Sequence, residues 1–350
     1  MNLTPATMYK LIITLCFLCV IQLNTSAGQT VFVDPAKGRD NARGTMGDPL
    51  ASLDKAIALA NGFTGKEAVT IKLAPGLYTL TQQLVLQSST PTDTVKYTIE
   101  ASILPDDTGW LPSKMPVIQS ISPNNKNYGK FDHCIGFQVE RNNTCFRGLK
   151  FLGNTHPSVV YYYAIERHRP ELKDMEISQC YFVGSKNSAP IQGAIFAQGS
   201  GIKVSHCVFY ECRNALLLFL SVTEFSLTNS IIYGAYEGAI WFGKYSDFVF
   251  RDNIIANNNC FWISMKDYKG RYTFANSLIT ENTMEMGLNN NGIIEKDGVN
   301  RPVMKNIQRS GKVLLTETDK DTIPVNYLNL SPASAGKDIP AGIFRIMRNR

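Results

Sequence analysis

Charge is scarce in this chain. Asp, Glu, Lys and Arg make up 18% of its 350 residues, and 35 basic against 29 acidic side chains leave a formal net charge of +6. A surplus that small favours an acidic partner only weakly, and an anionic polysaccharide suits it better than nucleic acid does. Histidine is rarer still, at 4 residues, and no CxxC pair occurs after residue 27. The usual ligand sets of a zinc site are therefore missing, and neither a metal site nor a cofactor is expected. Past residue 27 no apolar run, ALLLFL at 215–220 included, approaches a membrane span.

The one longer hydrophobic run stands at the start. LIITLCFLCVI at 11–21 follows a single basic residue, Lys10, and precedes Thr25, Ser26 and Ala27. It is too short to cross a bilayer, and small residues after it suit signal cleavage. The expectation is a signal peptide over 1–27 and a secreted, periplasmic or cell-surface protein with no stable membrane insertion; an amino-terminal anchor is the alternative. Removing one lysine and no acid takes the net charge from +6 to +5. Of the 8 cysteines, Cys16 and Cys19 leave with that segment. Cys180, Cys207 and Cys260 sit where neighbouring repeats carry Ser, Asn, Leu or Ala, which makes them small core residues rather than a disulfide framework.

What the chain has in abundance is a repeat. IKVSHCVFYEC at 202–212 returns as MEISQCYFVG, FSLTNSIIYG, FVFRDNIIAN and YTFANSLITEN. One apolar column reads Ile177, Val204, Leu227, Phe250, Phe274, spaced by subtraction at 27, 23, 23 and 24 residues. A second reads Phe182, Phe209, Ile232, Ile255, Ile279; between them run a polar column, Gln179, His206, Asn229, Asp252, Asn276, and a small one, Cys180, Cys207, Ser230, Asn253, Ser277. Such a period belongs to solenoids, whose repeats bury their apolar faces only by stacking. In each rung, alternation puts Ile202 and Val204 inward, turns the chain at Ser205 and His206, and puts Cys207 and Phe209 inward. The polar column is then expected to be a ladder hydrogen-bonded between coils.

Before the repeat, Leu53, Ala56, Ile57 and Ala60 fall at i, i+3, i+4 and i+7, an amphipathic helix suited to covering the open end of a solenoid. VTIKLAPGLYTL at 69–80 reads as two strands about a Pro75-Gly76 turn. The opening VDPAKGRDNARGT, the IKLAPGLYTL unit, the repeated rungs and the closing YLNLSPASAGKDIPAG together resemble the right-handed parallel β-helix proteins of the pectin-lyase-like superfamily, along essentially all of the chain after residue 27. The resemblance implies an all-β, single-stranded right-handed parallel β-helix with an amino-terminal capping helix. One domain is expected over 28–350: cap and first coils at 28–100, regular coils at 101–283, and last strands with a covering segment at 284–350. The superfamily spans lyases, hydrolases, epimerases, esterases and adhesins, so fold alone leaves activity open.

The third strand of each coil falls between motifs, in GAIFAQ, NALLLFLS, GAIWFGKY and NCFWISMK, with SVVYYYA one coil earlier. Aligned on Ala194, Ala215, Ala239 and Cys260, the inward residues are Ile195, Leu216, Ile240 and Phe261, and the outward ones Phe196, Leu217, Trp241 and Trp262. The resemblance implies a saccharide groove on this outer face. Trp241, Trp262 and Phe196, with Tyr161 or Tyr163, are the expected stacking platform, unless residues 284–350 or a flanking loop pack over them. The rims carry Lys244, Tyr245 and Asp247; Lys266, Asp267, Tyr268, Lys269 and Arg271; and Arg213 and Glu237. A uronate lyase needs a base and a cation for the enolate, roles open to Lys266, Lys244 and Arg271, with Arg213 holding substrate. A glycosidase needs two carboxyl groups roughly 5 to 9.5 Å apart, for which Glu237, Asp247 and Asp267 are nearest.

Departures from better-known members bear on activity. GHG and adjacent-DD motifs of the polygalacturonase kind are missing, and RHRPELK at 167–173 lacks the second arginine of the pectate lyase RxPxxR pattern. Calcium is compatible but not indicated, since Asp34, Asp40 and Asp48 read as turn formers. The sequence thus supports a secreted carbohydrate-active protein acting on an acidic polysaccharide, by lyase-type β-elimination ahead of hydrolysis. The alternatives are a non-catalytic carbohydrate-binding or surface β-helix, and an oligomer that buries the aromatic face between chains.

Overall fold

The structure, a computed structural model, describes residues 28–88, 94–128, 131–218, 221–242, 247–265, 271–297, 302–317 and 323–346. The expected signal peptide lies outside them. Among the described residues no helix is long and apolar enough to cross a membrane.

Strands stack in three parallel rows. The first runs through Val69–Leu73, Tyr97–Ala101, Thr144–Arg147, Met175–Ser178, Ile202–Ser205, Phe225–Thr228 and Asp247–Arg251; the second through Gly76–Leu80, Pro116–Ser120, Lys150–Asn154, Tyr181–Val183, Val208–Tyr210, Ile231–Tyr233 and Ile254–Ala256. The third row is a sheet of its own: Leu84–Leu86, Asp132–Val139, Tyr162–Arg167, Gly193–Ala197, Asn214–Leu218, Gly238–Phe242, Cys260–Met265 and Met284–Asn290. Helix Leu53–Asn61 starts at an Ser52 cap and buries Leu53, Ala56, Ile57 and Ala60, the stripe read from sequence. Of the aspartates near it, Asp34 forms a turn, its Oδ1 accepting from the amides of Ala36 and Lys37, whereas Asp40 reaches the start of the helix and accepts from the amides of Ala51 and Ser52.

The rung parses as its alternation dictates. Ile202, Val204, Cys207 and Phe209 all join the interior cluster. Stacking identical positions at the strand spacing makes like side chains meet face to face, as Phe151 on Phe182 at 4.7 Å, Phe182 on Phe209 at 4.9 Å and Phe250 on Phe274 at 4.6 Å. Burial of each such ring stabilises the stack by about 1.5 to 3 kcal/mol.

The polar column meets its expectation only in part. Gln179, His206, Asn229, Asp252, Asn276 and Asn306 all have φ between 49° and 60°, a left-handed corner that Asn, Asp and His tolerate better than most. Three of the six grip the carboxy-terminal strap: Gln179 Nε2 donates to Ile343 O, His206 Nδ1 pairs with Gly342 O, and Asn229 Nδ2 donates to Pro340 O. Asn306 Nδ2 donates to Asn276 Oδ1 as an inter-coil ladder requires, and a longer ladder lies one residue on, in the small column. The Cys207 amide donates to Ser230 Oγ, the Ser230 amide to Asn253 Oδ1, and the Asn253 amide to Ser277 Oγ.

Strap residues Val313, Leu328, Leu330, Ala341 and Ile343 pack on Tyr181, Val208, Ile231, Ile254 and Leu278. These are outward positions of the second row. Among the described residues, the long carboxy-terminal segment seals the second row's outer face, and on the third row it supplies the short strand Ile293–Lys296, which turns back against Met284–Asn290, and Asp297, which accepts from Ser264 Oγ.

Candidate functional site

The outward column of the third row is given by strand register: Val85, Gln138, Glu166, Phe196, Leu217, Trp241, Ile263, Gly287. Trp262 is not part of it. Ile240 pairs with Trp262 and Trp241 with Ile263, so Trp262 points into the interior cluster and is 1% exposed. The alignment on Ala239 and Cys260 was one residue out, because the third row lacks the constant spacing of the rungs: Leu216 to Ile240 is 24 residues and Ile240 to Trp262 is 22. A slip of one residue exchanges the two faces of a strand. Cys260, read as interior, instead joins the outer cluster beside Ile263.

The remaining aromatics face outward and cover each other. Tyr163, Phe196, Leu217 and Trp241 are 7%, 8%, 4% and 9% exposed. Glycine makes this possible: a Cβ at Gly193 would meet Leu217 and Tyr163, and one at Gly238 would meet Ile263 and Trp241. At the far end Ile294 sits against Gly287. The platform expected on Trp241, Trp262 and Phe196 is thus one interior residue and two covered ones.

Lys244 and Lys266 lie outside the described residues, as does the side chain of Arg271. Arg213 and Glu237 do come together. Arg213 Nε and Nη2 donate to Glu237 at 3.0 and 2.8 Å, Asn214 Nδ2 donates to the same carboxylate at 2.7 Å, and Trp241 Nε1 donates to Asn214 Oδ1 at 2.6 Å. This arrangement commits Glu237 to accepting hydrogen bonds, whereas a general acid must donate. The chain of contacts holds the Trp241 ring in place.

A cluster that the sequence reading missed lies at the other end of the column. Glu166 occupies the outward position next to Phe196 and is fully buried; His133, on the neighbouring strand, is also fully buried. The hairpin formed by Lys126–Asn127 and Asp132–Val139 brings Tyr128 over both. The Tyr128 hydroxyl donates to Glu166 Oε1. Its ring lies 4.6 Å from that of His133 and stacks at 4.7 Å on His168, which in turn stacks on Phe196 at 5.8 Å. His133 Nε2 stands 3.8 Å from Glu166 Oε2, and neither ring nitrogen nor Oε2 has a hydrogen-bond partner. Burial, then the hydrogen bond and charge of Glu166, raise the Tyr128 phenol above its ordinary range. Burial and the same carboxylate raise Tyr163 as well.

Around this cluster the surface opens. Phe131 is 40% exposed, packs 4.9 Å from Tyr161, and Tyr161 lies 5.9 Å from the Arg213 guanidinium. Lys126 stands 5.9 Å over the Tyr128 ring, and an open cleft of about 380 Å³ is lined by Asn124, Asn125, Lys126, Asn127 and Asp132. On the other side Gln83, Gln138, Glu140 and Arg169 form a polar chain. One sequence signal for the cluster existed: Glu166 in YYYAIER stands where successive coils carry Phe, Leu and Trp. Among the described residues no cluster of His, Cys, Asp and Glu is arranged to hold a metal ion.

A family model described as the right handed beta helix region matches residues 133–306, the stretch that holds the regular rungs and the third-row face. With the parallel strand rows, this match makes the chain a right-handed parallel β-helix. No curated protein matches its sequence. Solved structures similar to the β-helix include a pectate lyase, at 13% identity with 82% of this chain and 78% of the other covered and a TM-score of 0.46. A rhamnogalacturonan lyase is similar at 13% identity, 90% and 100% coverage and a TM-score of 0.43. A lacto-N-biosidase from Eubacterium ramulus is similar at 9% identity and a TM-score of 0.47, with 73% of this chain covering 60% of that one. These likenesses extend to coil architecture and no further.

Proposed function

We propose that this β-helix is a carbohydrate-active protein whose ligand is an acidic polysaccharide lying across the polar end of the third-row outer face. One observation carries the reading: two part-exposed ring pairs, Phe131 with Tyr161 and Tyr128 with His168, flank the buried His133 ring beside an open cleft. Aromatic faces stack on sugar rings, and polar groups converging beside them fix orientation. Lys126 stands over the Tyr128 ring and Arg213 over that of Tyr161, which favours carboxylate-bearing sugars. The platform expected on Trp241 and Trp262 is replaced by this one.

For the reaction, β-elimination is preferred to hydrolysis. Glu237 is held as an acceptor by Arg213 and Asn214, which removes the nearest carboxyl from the two-carboxyl requirement of a glycosidase. A phenol, an imidazole and a carboxylate beside a cationic rim supply the base and the charge stabilisation that proton removal next to a uronate needs. The covered state of Trp241 and Phe196 favours a second reading, a non-catalytic carbohydrate-binding β-helix. Incubating the protein with alginate, pectate and a glycosaminoglycan, while following unsaturated ends and binding together, separates the two. Cleavage supports the lyase, binding without cleavage supports the second reading, and neither binding nor cleavage overturns both.

A further inference from the structure

We propose that Tyr128, Glu166 and His133 form a proton-transfer centre, with Tyr128 as the catalytic residue and Glu166 and His133 as positioning residues behind it. The proposal rests on the acidic-polysaccharide reading for its substrate, but its geometry stands apart from that reading. Glu166 and His133 are both fully buried on the outer side of the third row, beneath the Tyr128 ring. One carboxylate oxygen takes the Tyr128 hydroxyl; the other has no donor, and the nearest opposing group is His133 Nε2 at 3.8 Å. Buried polar groups are normally satisfied, as in the Ser230, Asn253 and Ser277 ladder of the same molecule. A carboxylate and an imidazole left with open positions under a half-buried phenol is the arrangement of a site that passes protons and not of a packed core.

Tyr128 alone of the three reaches the surface, so it is the member that meets substrate. Its oxygen removes the hydrogen on the carbon alpha to a uronate carboxylate while its own proton passes to Glu166. The electron pair left on carbon forms the new double bond, and the bond to the leaving glycosidic oxygen breaks. That oxygen takes the proton now on Tyr128, and Glu166 returns its proton to the phenolate. The hydrogen taken from carbon thus ends on the leaving oxygen, and the three side chains finish as they began. Glu166 faces His133 directly, while Glu140, paired with Arg169, and Lys126, over the ring, act on Tyr128.

Tyr128→Phe, Glu166→Gln and His133→Asn are compared with the unaltered protein in two assays. With whichever of alginate, pectate or glycosaminoglycan is cleaved, Tyr128→Phe is expected to lower kcat at least roughly 100-fold with KM and binding nearly unchanged, and Glu166→Gln to lower kcat similarly. A Tyr128→Phe protein that cleaves at the unaltered rate overturns the proposal while leaving the polysaccharide reading intact. The second assay needs no substrate: the ring-carbon resonance of Tyr128, labelled with carbon-13 and assigned by its loss in Tyr128→Phe, is expected to shift in Glu166→Gln. If no polymer is cleaved but the resonance shifts, the polysaccharide reading falls and the proton-sharing centre stands. A resonance unmoved by Glu166→Gln overturns the centre.

Discussion

The second and third rows present outer faces built by the same stacking rule and finished in opposite ways. On the second row, Tyr181, Val208, Ile231, Ile254 and Leu278 are apolar throughout and lie under a strap of the same chain, pinned by carbonyl contacts at 340, 342 and 343. On the third row, Phe196, Leu217 and Trp241 cover one another with the help of glycines, and the column then changes to Glu166 and Gln138 beside part-exposed rings. An apolar face in a solenoid must be covered by something. Here the covered face is scaffold, and the face that turns polar before it is covered holds the groups capable of chemistry.

The sharpest way to test where the third row's outer face ends is Trp262. Placed inside, its replacement by Ala leaves a large cavity, and a loss of about 3 to 5 kcal/mol is expected; on the outer face the cost would be far smaller. Chemical denaturation reads the difference. Next comes the strap. Leu330 is fully buried against the second row, so Leu330→Ala is expected to cost about 2 to 4 kcal/mol. Polysaccharide binding at the Tyr128 end is expected to stay unchanged. A parallel loss of binding in the folded variant would show that the two faces are coupled and break the contrast drawn between them. A smaller effect, about 1 kcal/mol, is expected for Trp241→Phe, which keeps most of the ring and loses the hydrogen bond to Asn214.

How far the sequence discloses this division depends on periodicity. The first two rows were legible residue by residue, because Ile177, Val204 and Leu227, or Phe182, Phe209 and Ile232, recur at nearly fixed spacing and period-2 alternation does the rest. The capping helix was legible from one stripe. The third row was legible as strands but not in register, since its spacing varies from coil to coil; that is why Trp262 seemed to face solvent and Ile263 went unnoticed. The polar column is legible as corner residues, and Asn276 with Asn306 makes the expected inter-coil bond, but the strap partners of Gln179, His206 and Asn229, more than 100 positions away, leave no local signal. The Tyr128 cluster was hidden for the same reason. Tyr128, His133 and Glu166 come together through a hairpin and a neighbouring coil, and a lone acid in an apolar strand was its one trace.

The smallest expected effect concerns the grip of the strap. His206 Nδ1 faces Gly342 O at 3.2 Å, and the groups about it are Arg345, Asp106 and the carbonyl of Phe344. Burial, aided by Arg345, lowers the imidazole from its ordinary value of 6.5, against the opposing pull of the carbonyls and Asp106. The folded protein therefore takes up this proton at lower pH than the unfolded chain does. The stability His206 contributes is present above pH 6.5 and is lost as pH falls below it, through the folded value. His206→Asn keeps a side chain that tolerates the left-handed corner and removes the titration. Compared at several pH values, the unaltered protein is expected to lose denaturation midpoint relative to this variant as pH falls below 6.5. Carboxylates common to both cancel in the difference. A difference that is flat with pH would mean that His206 keeps its proton equilibrium on folding, and that the strap is held over the second row by apolar packing without help from the corner column.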